Sequence, residues 1–437
     1  MHFLFVAQGT AGDIFPQLAL AKELHRRGQR VSFLTHTHFG DLIRRCGLAF
    51  IDLEDEQHYG LLHGPDYWDP ARALPKQVEF LTAHIRKQYE LVVQHYEPGQ
   101  TVAVTGPNGL GVRIAHDKIG LPMVSAYICP WFIRSFEDPA DSPLFNLVPF
   151  FRACDPTGLG ARLYFAVADR VFTDPLFKPE VNRLRRDLGL PPVSRIFQCW
   201  VHSPQLIIGL FPEWFVRPVP KDWPSHTRLT QFPLEDSGIS EQLPESARRF
   251  LDAGPPPIVF SPGTGMVHMR EFFATAANVC ERLKRRGLLL TRHRDQIPDA
   301  LPEFIHWEPY LPFSLFLPRA AALVSHGGIG SVSQGLAAGV PQLIMPMAFD
   351  QPDNARRLAE LGVARRISWR KFNSRSVAKS LALLLEWPQV RARCQSLKDL
   401  FPKENPVRQS CDLLEEFAEN AFRSGKSERK RPIPADR

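Results

Sequence analysis

The feature that most constrains this chain is a strand–turn–helix pattern that occurs in both of its halves. The apolar run His2 to Ala7 precedes a glycine-containing turn and a helical pattern from Ile14 to Arg27, which ends at Gly28. In the second half, the apolar runs Ile258 to Ser261 and Ala320 to Ser325 also lead into glycine-rich turns. Strands that alternate with helices form parallel sheets through right-handed crossovers. The sequence therefore predicts an α/β protein with two Rossmann-like, doubly wound parallel-sheet domains that face a cleft.

The chain is long enough for two such domains. It has 437 residues, whereas a single domain commonly has about 100 to 150. The segment Trp214 to Pro257 is rich in prolines and alternating charges, which is typical of an interdomain connection. We expect a first sheet domain over 1–213, a connection over 214–256, a second sheet domain over 257–404, a helix over 405–422 that packs back across the cleft, and a basic disordered tail over 423–437.

The charge balance allows several kinds of partner and excludes few. Lys and Arg number 53 against 46 Asp and Glu, which gives a formal net charge of +7. Such an excess fits nucleic acid, an anionic membrane surface or an acidic small molecule. No recognisable nucleic-acid module accompanies it, so we expect no nucleic-acid partner. The tail 423–437 holds six basic and two acidic residues, and a peripheral contact of this tail with an anionic membrane stays open.

The sequence contains no recognisable membrane-spanning segment, signal peptide or metal-binding motif. No apolar run approaches the roughly 18 to 20 residues of a membrane-spanning helix, and the first apolar run is too short for a signal peptide. The seven cysteines include no Cys-x-x-Cys pair, which argues against a disulfide framework and a cysteine zinc site. His36 and His38 lack the further ligands that zinc needs, so we expect ordinary loop or acceptor-side residues there. The sequence indicates a cytoplasmic protein without a metal.

The strongest chemical signal is the glycine-rich turn that begins at Ser325. It opens a helix, and backbone N–H groups at a helix N-terminus bind anions. The turn contains neither a Walker A lysine nor a dinucleotide fingerprint. We predict a diphosphate site there, held from the opposite side by a second turn after Ser261 and with Arg292 as a possible phosphate contact; a solvated Arg292 is an equal alternative. The predicted diphosphate-binding residues are Thr264, His326, Gly328, Gly330 and Ser331.

Two further groups of residues predict contacts with a sugar and with a nucleobase. Asp350 and Gln351 place a carboxylate beside an amide, a pair that can bind several sugar hydroxyls. Tyr310 offers an aromatic face for a nucleobase, and the backbone of Leu311 can read the edge of the base. Trp307 is a rival for the stacking role, and core packing explains either aromatic residue as well.

These motifs in combination resemble the donor-binding domain of family 1 glycosyltransferases with the GT-B architecture. The resemblance runs from Ile258–Ser261 through Tyr310-Leu-Pro, His326-Gly-Gly, Gly339-Val-Pro and Asp350-Gln-Pro-x-Asn. In the first half, Gly12-Asp-x-x-Pro16 resembles a loop of the bacterial members, among which are the macrolide and glycopeptide types. The segments 195–204 and 210–215 resemble more specifically the bacterial rhamnosyltransferases of rhamnolipid biosynthesis.

The resemblance implies a reaction and a role for each half. It implies inverting, metal-independent transfer of a hexose from a UDP- or dTDP-sugar, such as dTDP-rhamnose or UDP-glucose, to a hydroxyl of a lipophilic acceptor. The first domain would bind the acceptor and the second the donor, with no further cofactor. Asp13 would be the catalytic base, although a helix N-cap is the alternative role for this residue. The absence of an Asp-x-Asp pair agrees with transfer without a metal.

The acceptor site is the least defined part of the sequence. The aromatic segment Trp131 to Ala168 predicts either core packing or an apolar acceptor pocket. Two alternative functions remain: a non-catalytic nucleotide-sugar-binding subunit that activates another glycosyltransferase, and a glucosyltransferase for sterols, polyketides or phenolics. The choice of UDP or dTDP, the acceptor and the oligomeric state stay open. The predicted acceptor-pocket residues are Phe145, Phe150 and Phe151.

Overall fold

The computed structural model describes residues 1–53, 59–68, 72–141, 159–236 and 242–428, and it contains two parallel sheets. The first sheet has seven strands in the order β3-β2-β1-β4-β5-β6-β7, and the second has six in the order β10-β9-β8-β11-β12-β13. This is the predicted pair of doubly wound α/β domains. The strands are β1 His2–Val6, β2 Arg30–Thr35, β3 Ala49–Asp52, β4 Thr101–Thr105, β5 Met123–Tyr127, β6 Ile207–Gly209, β7 Thr227–Leu229, β8 Ile258–Ser261, β9 Gly287–Leu290, β10 Ile305–Glu308, β11 Ala322–Ser325, β12 Gln342–Ile344 and β13 Ala364–Arg366.

Helices cover both faces of each sheet, as parallel sheets require because both of their faces are apolar. The α-helices of the first half and the connection are α1 Ala11–Arg26, α2 Gly40–Arg45, α3 Ala73–Ala83, α4 Ile85–Gln94, α5 Leu110–Ile119, α6 Leu159–Ala168, α7 Asp174–Asp187 and α8 Glu245–Asp252. Those of the second half are α9 Arg270–Leu283, α10 Phe313–Phe316, α11 Ile329–Ala338, α12 Gln351–Glu360, α13 Ser374–Glu386, α14 Pro388–Lys398 and α15 Arg408–Glu428.

The two strands that carry the principal turns lie in the middle of their sheets. In the first sheet β1 pairs with β2 and β4, so that His2 lies opposite Arg30 and Thr101. In the second sheet β8 pairs with β9 and β11, and Ser261 lies opposite Ser325. Since neighbouring parallel strands end at the same edge, the turns after β8 and β11 are adjacent.

The helix at the C-terminal end packs against the first domain. Its Ser410 hydroxyl lies 2.8 Å from the hydroxyl of Thr230, and its Cys411 thiol contacts the carbonyl of Leu20 in α1. We expected this helix over 405–422, followed by a disordered tail. The structure instead extends α15 to Glu428, six residues into that segment, and residues 429–437 lie outside the described part.

The connection between the domains is also more structured than the sequence indicated. The segment expected over 214–256 contains β7, which forms the edge of the first sheet, and α8. The strand β7 has only three residues, too few for a periodic apolar pattern to reveal it. Within the described ranges, no helix is long and apolar enough to cross a membrane.

We predict that Arg27 stabilises the contact between α1 and α15. Its guanidinium lies 2.7 Å from carboxylate oxygens of both Asp412 and Glu415, and only 17% of its side chain is exposed. Arg27→Met should lower the free energy of unfolding by about 1 to 2 kcal/mol, because a half-buried charge network is worth more than an exposed pair. Urea denaturation followed by circular dichroism measures this.

The matched control is Arg44→Met, which breaks the exposed pair between Arg44 and Asp41. It should leave the urea midpoint nearly unchanged. Equal midpoints for the Arg27 and Arg44 variants would contradict a stabilising role of the α1–α15 contact.

Candidate active site

The turns at the carboxyl ends of both sheets line one cavity between the two halves. Nearly all site residues predicted from the sequence meet there, although they are spread over more than 300 positions. The exceptions are Phe145, Phe150 and Phe151, which lie outside the described residues. The predicted residues that line the cavity are Asp13, Thr264, Arg292, Tyr310, Leu311, His326, Gly328, Gly330, Ser331, Asp350 and Gln351.

Asp13 takes part in the capping of α1, but not as its N-cap, which was the alternative role that the sequence left open. The N-cap of α1 is Thr10, and Asp13 forms a reciprocal capping box with it. The Thr10 N–H and hydroxyl donate to Asp13 Oδ2 at 2.9 and 3.3 Å. Burial raises the pKa of Asp13 to about 6, against the opposing effect of these two hydrogen bonds. A carboxylate with this pKa is a stronger base than an ordinary aspartate and is still ionised at neutral pH.

The loop before Asp13 is held by a histidine from the next strand. The Gly9 N–H donates to His36 Nε2 at 2.8 Å, so the other ring nitrogen carries the proton. Gly9 has a φ of +131°, and a Cβ there would lie 2.3 Å from Asp13 Oδ2. Sequence reasoning treated His36 as an ordinary loop or acceptor-side residue, because nothing local links it to Asp13.

The glycine-rich turn after β11, where the sequence predicts a diphosphate site, is built around a neutral histidine; we call it the diphosphate turn. The ring of His326 lies between Gly263 and Gly328, where an added Cβ would approach it to 2.5 and 2.6 Å. Burial lowers the pKa of His326 to about 4, so the ring is uncharged at pH 7. Its Nδ1 has no hydrogen-bond partner among the described residues. Next to it, α11 begins at Ile329 with its first N–H groups available to an anion.

The first half closes over the turn that carries Thr264. A Cβ on Gly265 would lie 2.6 Å from the ring of Trp68 and 3.4 Å from the Thr10 methyl group. The Trp68 ring also lies 5.6 Å from that of Phe349, just before Asp350. The cavity is therefore walled by residues of both halves.

The predicted sugar-binding pair is positioned by the start of α12. Asn354 donates to Asp350 Oδ2 at 2.7 Å and to the Gly327 carbonyl at 2.9 Å. Burial, and to a lesser extent the nearby charge of Asp13, raise the pKa of Asp350 to about 7. Gln351 Oε1 already accepts the N–H groups of residues 347 and 348 at 2.8 and 3.1 Å. Gln351 thus has its amide N–H groups to offer a ligand, rather than both ends as the sequence predicted.

The structure separates the two candidates for base stacking. Tyr310 lines the cavity and donates from its hydroxyl to the Asp236 carbonyl at 2.8 Å. Trp307 is not part of the cavity wall, and its indole N–H donates to the Thr291 carbonyl at 2.9 Å. The exposed Arg292 guanidinium lies 5.5 Å from the centre of the Tyr310 ring, at the cavity wall.

Sequence reasoning missed cavity residues that come from the connection between the domains. The carboxylate of Asp236 accepts the N–H and hydroxyl of Ser314 at 2.7 and 3.0 Å. Gln334 of α11 donates to the Leu234 carbonyl at 3.1 Å. No motif marks these positions, since their roles depend on contacts between distant segments.

An ion-pair cluster joins the two halves beside the cavity; we call it the interdomain cluster. Asp138 of the first half accepts from Arg356 and Arg357 of α12 at 2.9 and 2.7 Å. Both arginines also bind the fully buried Asp353. A second pair, between Asp141 and Arg366, lies next to it. The segment that enters the predicted acceptor region is thereby tied to the helix that carries Asp350.

The part of the chain that the structure describes contains no group of three or more His, Cys, Asp or Glu side chains that could hold a metal ion. Besides the carboxyl groups of Asp13 and Asp350 and the guanidinium of Arg292, the cavity presents backbone N–H groups, hydroxyls, amides and a neutral imidazole. This set suits an oxygen-rich ligand such as a sugar diphosphate.

Comparisons with known proteins identify glycosyltransferases as relatives of this chain. Residues 3–136 match the glycosyltransferase family 28 N-terminal domain, and residues 288–409 match the C-terminal domain of erythromycin biosynthesis protein CIII-like proteins. The O-mycaminosyltylonolide 6-deoxyallosyltransferase of Streptomyces fradiae is 28% identical over 96% of this chain and 98% of its own. Sterol 3-beta-glucosyltransferase UGT80B1 of Arabidopsis thaliana is 25% identical over 93% of this chain and 66% of its own.

The fold is shared with solved glycosyltransferases. The structure of glycosyltransferase VinC in complex with dTDP superposes with a TM-score of 0.65 at 16% identity, over 96% of this chain and 100% of that one. The two family matches and the named relatives show an enzyme that transfers glycosyl groups, and the solved structures show its GT-B architecture. The chain is a family 1-type glycosyltransferase, related to those that act in macrolide biosynthesis.

We predict that Asp13 destabilises the folded protein at neutral pH. Its pKa is about 6 when folded and near 3.8 when unfolded, so the folded state binds more protons between these values and loses stability as the pH rises through them. Asp13→Asn removes the buried charge and should raise the free energy of unfolding by about 1 to 2 kcal/mol at pH 8, with little change at pH 4. Thermal melting at both pH values measures the difference.

The control is Asp41→Asn, which changes a carboxylate whose side chain is 89% exposed. It should show no pH-dependent gain. A gain for Asp13→Asn that is equal at pH 4 and pH 8 would contradict the proposed burial of charge.

Proposed function

We propose that this enzyme is a metal-independent, inverting glycosyltransferase that moves a hexose from a dTDP- or UDP-sugar to a hydroxyl of a lipophilic acceptor. One observation carries the proposal: Asp13 of the first half faces the same cavity as the diphosphate turn and Asp350 of the second half. A base, a leaving-group site and a sugar site therefore lie together. The dTDP bound in the VinC structure supports a nucleoside diphosphate as the leaving group.

In this mechanism Asp13 accepts the proton of the acceptor hydroxyl. The acceptor oxygen forms a bond to the anomeric carbon while the bond from that carbon to the diphosphate oxygen breaks. Attack from the face opposite the leaving group inverts the anomeric configuration. The two hydrogen bonds from Thr10 fix the carboxylate, and burial gives it the pKa of about 6 that a base needs near neutral pH.

The leaving diphosphate gains negative charge as the bond breaks. The first N–H groups of α11, the neutral ring of His326 and the hydroxyls of Thr264 and Ser331 are positioned along the cavity to donate hydrogen bonds to it. Donors that are fixed before the reaction stabilise such charge without reorganisation. These residues take the place that a divalent cation has in metal-dependent glycosyltransferases.

Apolar residues on the first-half side of the cavity support a lipophilic acceptor. Phe15, Ile128, Trp131 and Phe132 line the wall on the side of Asp13. Large aromatic side chains bind apolar surface without requiring hydrogen bonds from it. The sterol glucosyltransferase among the relatives supports transfer of glucose to a sterol-like acceptor as the main variant. The deoxyallosyltransferase among the relatives supports a donor that carries a deoxyhexose. The rhamnose of the proposed dTDP-rhamnose is such a deoxyhexose.

We predict that Asp13→Asn retains donor binding and loses turnover. Removal of a general base typically costs about 10²- to 10⁴-fold in rate. A panel of dTDP- and UDP-sugars is first screened by thermal shift, since a donor that binds the folded state raises the melting temperature with its concentration. Turnover of the best donor is then measured by release of the nucleoside diphosphate with wild type and variant.

Near wild-type turnover of Asp13→Asn would refute the assignment of the base. Binding of nucleotide-sugars by wild type without any turnover over a broad acceptor panel would favour the alternative of a non-catalytic activating subunit.

We also predict that catalysis does not require a divalent cation. Treatment with EDTA followed by desalting should leave kcat and KM within about twofold of their initial values. The reason is that the hydrogen-bond donors of the protein named above stabilise the leaving group without a metal. Loss of activity with EDTA and its restoration by Mg²⁺ would contradict this. A magnesium-dependent glycosyltransferase assayed in parallel verifies that chelation is complete.

A further inference from the structure

A groove outside the active-site cavity has an unusual concentration of positive charge. It lies between α6, α7 and the segments around residues 134–136 and 194–195, with a volume of about 1050 Å³. We call it the basic groove. Five basic and two acidic residues line it: Arg134, Arg162, Arg170, Lys178 and Arg195, with Asp169 and Asp174.

Both acidic side chains of the groove are already engaged by the protein. Asp169 accepts from Arg134 at 2.6 Å. Asp174 accepts the backbone N–H groups of Arg195 and Ile196 at 3.0 and 3.2 Å. Among the residues described, the side chains of Arg162, Arg170 and Arg195 form no ion pair. The groove therefore presents a net positive charge to a ligand.

The helix that forms one wall of the groove also exposes apolar side chains. Leu163 is 61% exposed, Val167 38% and Val171 56%, and they follow one another at intervals of four residues. We call these three residues the apolar strip. Leu163 and Val167 lie on one face of α6, and Val171 continues the strip in the π-helical turn Asp169–Thr173. Exposed apolar residues of this size are rarely grouped on the surface of a protein without a partner.

The basic groove and the apolar strip occupy neighbouring faces of the same helix. Arg162 and Ala166 line the groove, and Leu163 and Val167 directly follow them in sequence. A helix that combines a cationic face with an adjacent apolar face binds at the boundary between lipid headgroups and acyl chains. A nucleic acid would use the charge but leave the apolar strip uncovered.

The groove is formed in part by a segment that also forms the apolar wall of the active-site cavity. Trp131 and Phe132 line the cavity, while Arg134 and Phe136 of the same segment line the groove. Arg134 lies 4.3 Å from the ring of Phe165 in α6. A surface bound at the groove would therefore lie beside the wall to which the lipophilic acceptor is assigned.

We propose that the basic groove and the apolar strip dock this enzyme on an anionic lipid surface. The phosphate groups of the lipids pair with the arginines of the groove, and the apolar strip enters the acyl boundary. The docking face belongs to α6 and α7 rather than to the basic C-terminal segment. Membrane docking adds to the proposed function, and its test does not depend on turnover.

The test is co-sedimentation of the full-length protein with vesicles. Wild type should bind vesicles that contain phosphatidylglycerol and bind far less to vesicles of phosphatidylcholine alone. Replacement of Arg162 and Arg170 by Glu should weaken binding to the anionic vesicles by more than about tenfold, since each basic residue near a membrane surface contributes substantially. Leu163→Ser should weaken it about fivefold through loss of apolar burial.

Matched controls separate the docking face from general effects. Arg375→Glu combined with Arg391→Glu removes the same charge from exposed positions of the second half, and Leu400→Ser changes a leucine that is 50% exposed. Both should bind like wild type, and melting temperatures verify that each variant is folded. A chain that ends at Arg423 should also retain binding.

Equal binding of wild type to neutral and anionic vesicles would overturn the proposal. So would unchanged binding of the Arg162/Arg170 and Leu163 variants, or a loss of binding that occurs only when the C-terminal segment is removed. Binding of an RNA probe that depends on the same arginines, together with no vesicle binding, would identify a different partner and also overturn it.

Discussion

The chemistry of this enzyme depends on one geometric constraint, that strands of a parallel sheet all end at the same edge. Each half has one such edge, and the two edges face each other across the cavity. Burial between the two edges disfavours the charged form of every titratable group, so it raises the pKa of a carboxyl group and lowers that of a histidine. It raises the pKa of Asp13 and Asp350 and lowers that of His326. A single cause thus yields two carboxyl groups with raised pKa values and an imidazole that is uncharged at neutral pH.

The parts of the fold that could be predicted from the sequence are those encoded by local patterns. The strands β1, β8 and β11 are short apolar runs, and the turns that follow them need glycine for a physical reason. At Gly263 and Gly328 any side chain would collide with the ring of His326. Such a requirement is visible in a single sequence, and for this reason the two glycine-rich turns could be recognised before the structure.

Other features depend on contacts between segments that are distant in sequence, and no local sequence pattern reveals them. His36 is separated from Gly9 by 27 positions, and only the pairing of β1 with β2 brings them together. Asp236 and Gln334 join the cavity because the connection folds against the second domain. That Tyr310 lines the cavity and Trp307 does not also emerged only from the structure, since both are aromatic residues near the same strand end. In the same way, a helix was predicted over 405–422, but neither its contact with α1 nor its extension to Glu428 could be derived from the sequence.

The interdomain cluster gives the two substrates a physical means to influence each other. The cluster connects Asp138, which precedes the acceptor-side segment, to Asp353, which lies one helical turn from Asp350. If the two halves moved apart, the buried Asp353 would keep its arginines, but Asp138 would lose both partners. Domain separation is thus resisted by charge attraction, which salt weakens. The cohesion of the two halves, and with it the shape of the cavity between them, should therefore depend on ionic strength.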